Sequence, residues 1–180
     1  MLILILGLPG VGKTTVLARL CQRLGASSLH PGKHAWLSGL SDRQFLSRQE
    51  LLKIPGLSRS FIAAVGRALS AGPLVLDGFP RTVEQARMLS ETGWNLNVFH
   101  LVFPAGRELE LSVLRQRERM QRDQVPVDRK QLEAECQLAM EHDAQAIELL
   151  NQLGHRVTVI DAMLPPDEVE SAILSALGLG

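Results

Sequence analysis

Gly7-Leu8-Pro9-Gly10-Val11-Gly12-Lys13-Thr14 spaces two glycines, a lysine and a threonine as G-x-x-x-x-G-K-T. Glycines let successive backbone N–H groups turn inward around a phosphate chain. Lys13 brings a point charge to the outer phosphates, and Thr14 offers a hydroxyl to magnesium. Pro9, Val11 and Thr15 complete the stretch expected to wrap the phosphates. A helix beginning at Lys13 would add its N-terminal dipole. The bland alternative is a chance glycine turn. The context a phosphate loop requires, an apolar strand before and an amphipathic helix after, is present on both sides.

Other residue types could share that chemistry. Asp77 closes the apolar run Leu74–Leu76. A carboxylate at a strand end beside a phosphate loop can hold magnesium through its waters. Read alone, it is a turn-forming Asp before Gly78. Arg115, Arg119 and Arg122 stand at i, i+4 and i+7, so they project from one helical face. A solvated basic face is the alternative. Converging positive charge is what phosphoryl transfer must be given.

The elements that must position these residues alternate along the chain. Leu2–Leu6 is continuously apolar, as in a strand covered on both faces. Helix is expected over Lys13–Leu24, Ser41–Lys53, Ser58–Ser70, Thr82–Glu91, Arg107–Arg122, Lys130–Leu153 and Pro166–Leu177. Strands are expected at Ser27–Leu29, Leu74–Leu76, Asn97–Phe103 and Arg156–Ile160. Pro31-Gly32 reads as a break, and Ser caps open the two helices on either side of Pro55-Gly56. The long helix carries an apolar stripe of Leu132, Cys136, Ala139, Ala146, Leu150 and Leu153, with Gly154 at its end. Such alternation implies an α/β fold, a parallel sheet with helices on both faces. One domain over 1–180 is expected, with an irregular helical insert at 31–70.

Asp77-Gly78-Phe79-Pro80-Arg81-Thr82, followed by Gln85-Ala86 and Leu89, matches a D-G-F-P-R-T-x-x-Q-A-x-x-L signature. With it the whole chain resembles the adenylate kinases, within the nucleoside monophosphate kinases. The resemblance implies a P-loop NTPase-type, three-layer α/β/α fold with a five-stranded parallel sheet. It divides the chain into a core (1–30, 71–120, 130–180), a monophosphate-binding insert (about 31–70) and a short lid (about 120–130) without a zinc-binding hairpin. It implies ATP with Mg2+ at the phosphate loop, Arg81 on the acceptor's phosphate and Gln85 on adenine. Gly78 belongs to the same acceptor motif, and Ile54-Pro55 stands where the family lays a Val-Pro element against the acceptor base. Arg115 and Arg119 match the R-x-x-x-R before the lid and, with Lys13 and Arg81, would be the catalytic cations.

This chain also departs from the family. An S-T-G-D-x-x-R element corresponds to His30-Pro31-Gly32-Lys33-His34-Ala35-Trp36. Gly32 survives, Pro31 replaces Thr and Trp36 replaces Arg. Lys33 could return part of the charge, though not a bidentate geometry. Trp36 could stack on a base, but insert packing is the favoured reading. His30 and His34, lacking metal-spaced partners, read as surface or insert residues. Both further lid arginines are missing, since their positions fall at 126–129 and near Glu135–Cys136. Arg122 and Arg129 are the candidate substitutes. Three readings stay open: transfer from ATP to AMP, transfer to another nucleotide or small acceptor, and a nucleotide-binding regulator with weak turnover.

Composition narrows the partners. The chain has 180 residues with 19 basic and 19 acidic side chains, so its net charge is zero. That gives no general attraction to nucleic acid or anionic lipid. Seven aromatics with no Tyr argue against a base-stacking surface for single strands. No apolar stretch spans a bilayer. Met1–Leu8 lacks a basic leader and is read as a buried strand. Cys21 and Cys136 read as small buried apolar residues in a reducing, cytoplasmic setting. A monomer is what the resemblance implies. Acidic residues are expected away from the phosphates, along Glu133–Glu148 of the long helix.

Overall fold

β1 (Leu2–Leu6) is the central strand of the sheet, and its alternating side chains divide the core between two faces. The computed structural model describes residues 1–42, 48–124 and 128–180. Ile3 and Ile5 pack with Val16, Leu20 and Ile173 on one face. Leu2, Leu4 and Leu6 pack with Phe61, Phe79, Ala86 and Leu150 on the other. Each such side chain, fully buried, contributes roughly 1.5–3 kcal/mol. This two-sided burial is why the strand tolerates no polar residue.

The other strands are β2 (Ser27–Leu29), β3 (Leu74–Asp77), β4 (Leu96–Val102) and β5 (Val157–Asp161). All pairings are parallel, in the order β2-β3-β1-β4-β5. The helices are α1 (Lys13–Leu24), α2 (Pro31–Leu37), α3 (Arg48–Leu52), α4 (Leu57–Ala71), α5 (Val83–Ser90), α6 (Glu108–Arg122), α7 (Arg129–Gln152) and α8 (Pro166–Ala176). α1 and α8 cover one face; α4, α5 and the C-terminal half of α7 cover the other. The fold is the three-layer α/β/α arrangement that the alternation of elements predicts. None of the described helices is long and apolar enough to cross a membrane. β1 lies between β3 and β4, so the chain leaves it toward opposite edges, and the crevice at the carboxyl ends is a natural ligand site.

Several local expectations need correction. Pro31-Gly32 does not break the chain but opens α2, with Pro31 at the first helical turn and His30 as its cap. Proline is well suited there, because the N–H it lacks would have no helical partner. Of the helix expected over Ser41–Lys53, only Arg48–Leu52 is helical among the described residues, and 43–47 lie outside them. α4 starts at Leu57 after a left-handed Gly56, with no side-chain cap from Ser58. Leu153 is 47% exposed, so the buried stripe of α7 ends at Leu150. Asp143 takes the place in that stripe which the apolar reading passed over. Cys136 is buried, whereas Cys21 is only partly so. Part of the expected lid, 125–127, lies outside the described residues.

Candidate functional site

The loop after β1 holds its lysine with its own carbonyls. Lys13 Nζ donates to Gly7 O at 2.7 Å and to Leu8 O at 2.9 Å. Gly10 adopts φ +78°, and a Cβ there would stand 2.9 Å from Arg115 Cβ. Only glycine allows α6 to pack this closely on the loop. Ser112, also on α6 and fully buried, donates to Pro9 O at 2.7 Å and lies 3.3 Å from Cys136 Sγ of α7. Burial raises the Cys136 thiol pKa against the lowering hydrogen bond from Ser112. The loop is thus tethered by Ser112 of α6, which in turn meets α7 through Cys136.

Across the crevice, Ile5 of β1 is in register with Asp77 at the end of β3. The chain then turns through Gly78, at φ +64°, where a Cβ would meet Arg81 Nη2 at 3.0 Å. Arg81 Nε donates to Gly78 O at 2.5 Å. Phe79 anchors the turn in the core, its ring 4.9 Å from that of Phe61. Thr82 caps α5 by accepting from Gln85 N–H. The Gln85 side chain is committed at both ends. Its Oε1 accepts from Arg81 N–H at 2.8 Å, and its Nε2 donates to Ser58 Oγ at 3.1 Å.

A cleft of about 860 Å³ runs between these walls. It is lined by Gly7, Pro9, Gly10, Gly12, Lys13, Thr14 and Thr15 of the loop, by Gly32 and Lys33, by Asp77, Gly78 and Arg81, and by Arg115, Arg119 and Arg122. Val11 instead lines a smaller recess of about 230 Å³ with Leu101, Met163 and Leu164, which shares Gly12, Thr15 and Arg115 with the cleft. There Arg115 lies over the Phe103 ring at 5.2 Å, with Nη2 3.5 Å from Met163 Sδ.

Trp36, Pro55 and the buried Gln85 do not line the cleft. Trp36 is 41% exposed, so it does not pack in the insert core; its neighbour Ala35 does, with Leu51 and Leu57. Arg129 pairs with Glu133 at 2.8 Å on an exposed flank of α7, away from the cleft. Arg119 forms a looser exposed pair with Asp123 at 3.6 Å.

A family model described as an AAA domain matches residues 2–142. The chain belongs to that family. It is similar along nearly its whole length to adenylate kinases. That of Thermus thermophilus is 31% identical over 194 residues, covering 98% of this chain and 97% of the relative. That of Corynebacterium glutamicum is 26% identical over 189 residues, covering 99% of both. Among solved structures, the Deinococcus radiodurans tunicamycin resistance protein matches with a TM-score of 0.62 at 22% identity, over 99% of this chain and 96% of that one. That likeness is one of fold. The architecture is that of a P-loop kinase.

Within this AAA-domain chain, several cleft residues had not been expected. His30 lines the cleft, and its Nε2 lies 3.1 Å from Arg81 Nη2. Its Nδ1 accepts from Gly32 N–H at 3.0 Å. Burial above all, then Arg81 and also Lys13, hold its pKa down to about 4 against the upward pull of Asp77. Glu135 and Asp143 of α7 also line the cleft, which corrects the expectation that this helix keeps its carboxylates away. With Asp77 and Glu118 they set four carboxylates against six cations on the cleft walls, so the positive bias is modest. Burial also lowers the pKa of the neighbouring His100, while Asp143 raises it and Lys13 lowers it. His34 packs edge-on against Phe61 at 5.5 Å and meets Ser60 Oγ at 2.8 Å. Periodicity could have found Asp143, because 136, 139, 143 and 146 share one helical face.

Proposed function

We propose that this protein transfers the γ-phosphoryl group of ATP to a monophosphate acceptor, with AMP the first candidate (ATP + AMP = 2 ADP). The observation that carries the reading is one cleft lined by both Lys13 of the phosphate loop and Arg81 of the acceptor motif, with Arg115 and Arg119 on the wall between. ATP would lie along 7–15 with its base in the recess beside Met163 and Leu164. The acceptor would lie between the insert (31–70) and Arg81. Closure of that insert and of the lid at about 120–130 would exclude water, which otherwise competes for the phosphoryl group.

An acceptor phosphate oxygen attacks the γ-phosphorus in line. A P–O bond forms as the bond to the β–γ bridging oxygen breaks, and ADP leaves. The acceptor is already an anion, so no side-chain base is required. Lys13, Arg81, Arg115 and Arg119 are proposed to stabilise the charge on the equatorial oxygens. The donors facing the loop suit magnesium, a hard cation that binds few protein oxygens and keeps several waters. Thr14 and Asp77 both reach the cleft and would hold it, Asp77 through water. Bound there with ATP, magnesium would neutralise charge between the β- and γ-phosphates.

A second reading keeps the donor site and changes the acceptor. Its support is specific: both ends of the Gln85 amide are occupied by Arg81 and Ser58, and Trp36 stands outside the cleft. Neither is set to read an adenine as they stand. A coupled assay with AMP, CMP, UMP, GMP and dTMP tests both. Turnover highest with AMP supports the first. Turnover with another acceptor that survives Gln85→Ala supports the second. Nucleotide-stabilised protein with no ADP formed from any of them would leave a regulator with weak turnover and reject transfer to monophosphates.

A further inference from the structure

His30 stands between two donors that it cannot satisfy at once. The Gly32 N–H is fixed by the first turn of α2 and points at Nδ1 from 3.0 Å. Nδ1 must therefore be the bare nitrogen, and in a neutral ring the proton then sits on Nε2. Nε2 faces the Arg81 guanidinium, which offers only N–H groups, at 3.1 Å. The other neutral tautomer moves the conflict to Gly32, and the protonated ring has it on both sides. The conflict disappears if an anion enters the cleft. One oxygen can accept from Nε2–H while another accepts from Arg81.

We propose that His30 Nε2–H is a direct ligand of the acceptor's phosphate, sharing that anion with Arg81. This rests on the reading that a monophosphate acceptor binds at Arg81. It names a contact for this chain at the site where Trp36 stands in place of an arginine. Three further observations support it. His30 lines the cleft together with Lys33 and Arg81. Its pKa is held down to about 4, so the ring is a neutral donor at neutral pH and not a second cation. The cap fixes its ring plane through Nδ1, so Nε2 is oriented before any acceptor arrives.

His30→Ser separates this role from the structural one, because a serine hydroxyl can still cap α2 but cannot reach the anion. With the acceptor that the wild-type protein turns over fastest, the variant is expected to raise the acceptor KM about 10-fold or more, as loss of one hydrogen bond to a charged group should. The KM for ATP should stay within about twofold. An acceptor KM within twofold of wild type overturns the proposal and leaves the kinase reading intact. If no monophosphate yields ADP with wild-type protein, both fall together.

A readout that needs no variant of His30 uses the full chain labelled with 15N-histidine and titrated with AMP, then with inorganic phosphate. The His30 Nε2–H resonance is expected to shift saturably, and the shift should vanish in Arg81→Ala. A resonance that stays still while other signals report AMP binding at Arg81 overturns the proposal.

Discussion

The two walls of the cleft hold their cations in different ways. On the loop wall, Lys13 is cradled by main-chain carbonyls of Gly7 and Leu8, and the loop itself is tied down by Ser112 through Pro9 O. On the acceptor wall, Arg81 is held by Gly78 O and, through its backbone N–H, by Gln85, but its outer nitrogen meets a ring that is itself short of an acceptor. Main-chain carbonyls are placed by the path of the loop, so this part of the Lys13 seat is set with the fold. A side-chain network depends on each member and can be rebuilt for a new ligand. The loop wall therefore fits a fixed donor, and the acceptor wall is where specificity can change.

The sharpest way to break this comparison is Lys13→Ala. If the loop wall carries the donor phosphates, phosphoryl transfer should fall by about 10³-fold, in the range seen when one preorganised charge or donor is lost. ATP-dependent thermal stabilisation should shrink as well. Turnover within tenfold of wild type would remove the donor site from this loop.

Arg119→Ala tests the wall between. It projects into the cleft from the last turns of α6, and its exposed pair with Asp123 at 3.6 Å contributes little to stability. A loss of about 10²-fold in kcat with an unchanged melting temperature is expected. Unchanged kcat would make this face a solvated one.

The loop wall was legible because its parts are contiguous. Gly7 to Thr15 fold on one another, so type and spacing suffice. The acceptor wall joins residues far apart: His30 and Arg81 are separated by 51 positions, and Ser58 and Gln85 by 27. Nothing local at His30 announces its partner. Pro31-Gly32 misled for a related reason, since the same dipeptide ends one element or opens the next according to what caps it. Here the cap is an imidazole nitrogen, outside the usual Ser, Thr, Asp and Asn. Cys136, near the place of an expected arginine, is wholly enclosed beside Ser112, and a guanidinium would not fit there. Type alone hid Asp143, because a carboxylate does not register as part of an apolar stripe.

A smaller effect concerns pH, in the protein without nucleotide or magnesium. The folded-state pKa of His30, about 4, lies below the ordinary 6.5, with Asp77, Arg81 and Lys13 the charged groups acting on it. The unfolded chain therefore binds the proton more readily between those values. Stability from this residue is complete above pH 6.5 and is lost as pH falls toward 4. The pKa values of His34, lowered by burial and Arg67, and of His100 act in the same sense but are common to both proteins in a comparison. Urea unfolding should show wild type losing stability faster than His30→Ser over that range, by at most about 1.4 kcal/mol per pH unit. Parallel curves would mean that burial and Arg81 do not hold the ring neutral.

The smallest effect sharpens the comparison from the donor side. Glu135 lies on the half-exposed rim of α7, bonded to Gln131 Nε2 at 3.3 Å, and faces the cleft near where the resemblance expects an arginine. A carboxylate there would repel the polyphosphate that Lys13 and Arg119 are proposed to attract, though solvent screening keeps the repulsion small. Glu135→Gln keeps the hydrogen bond and removes the charge. It should raise kcat/KM for ATP by about threefold at low ionic strength, with the gain fading as salt is added. Its effect on the acceptor KM should be smaller, since its neighbour Cys136 meets Ser112, which holds Pro9 of the loop, whereas His30 and Arg81 form the other wall. A larger change for the acceptor than for ATP would show that the two walls do not divide the substrates in this way.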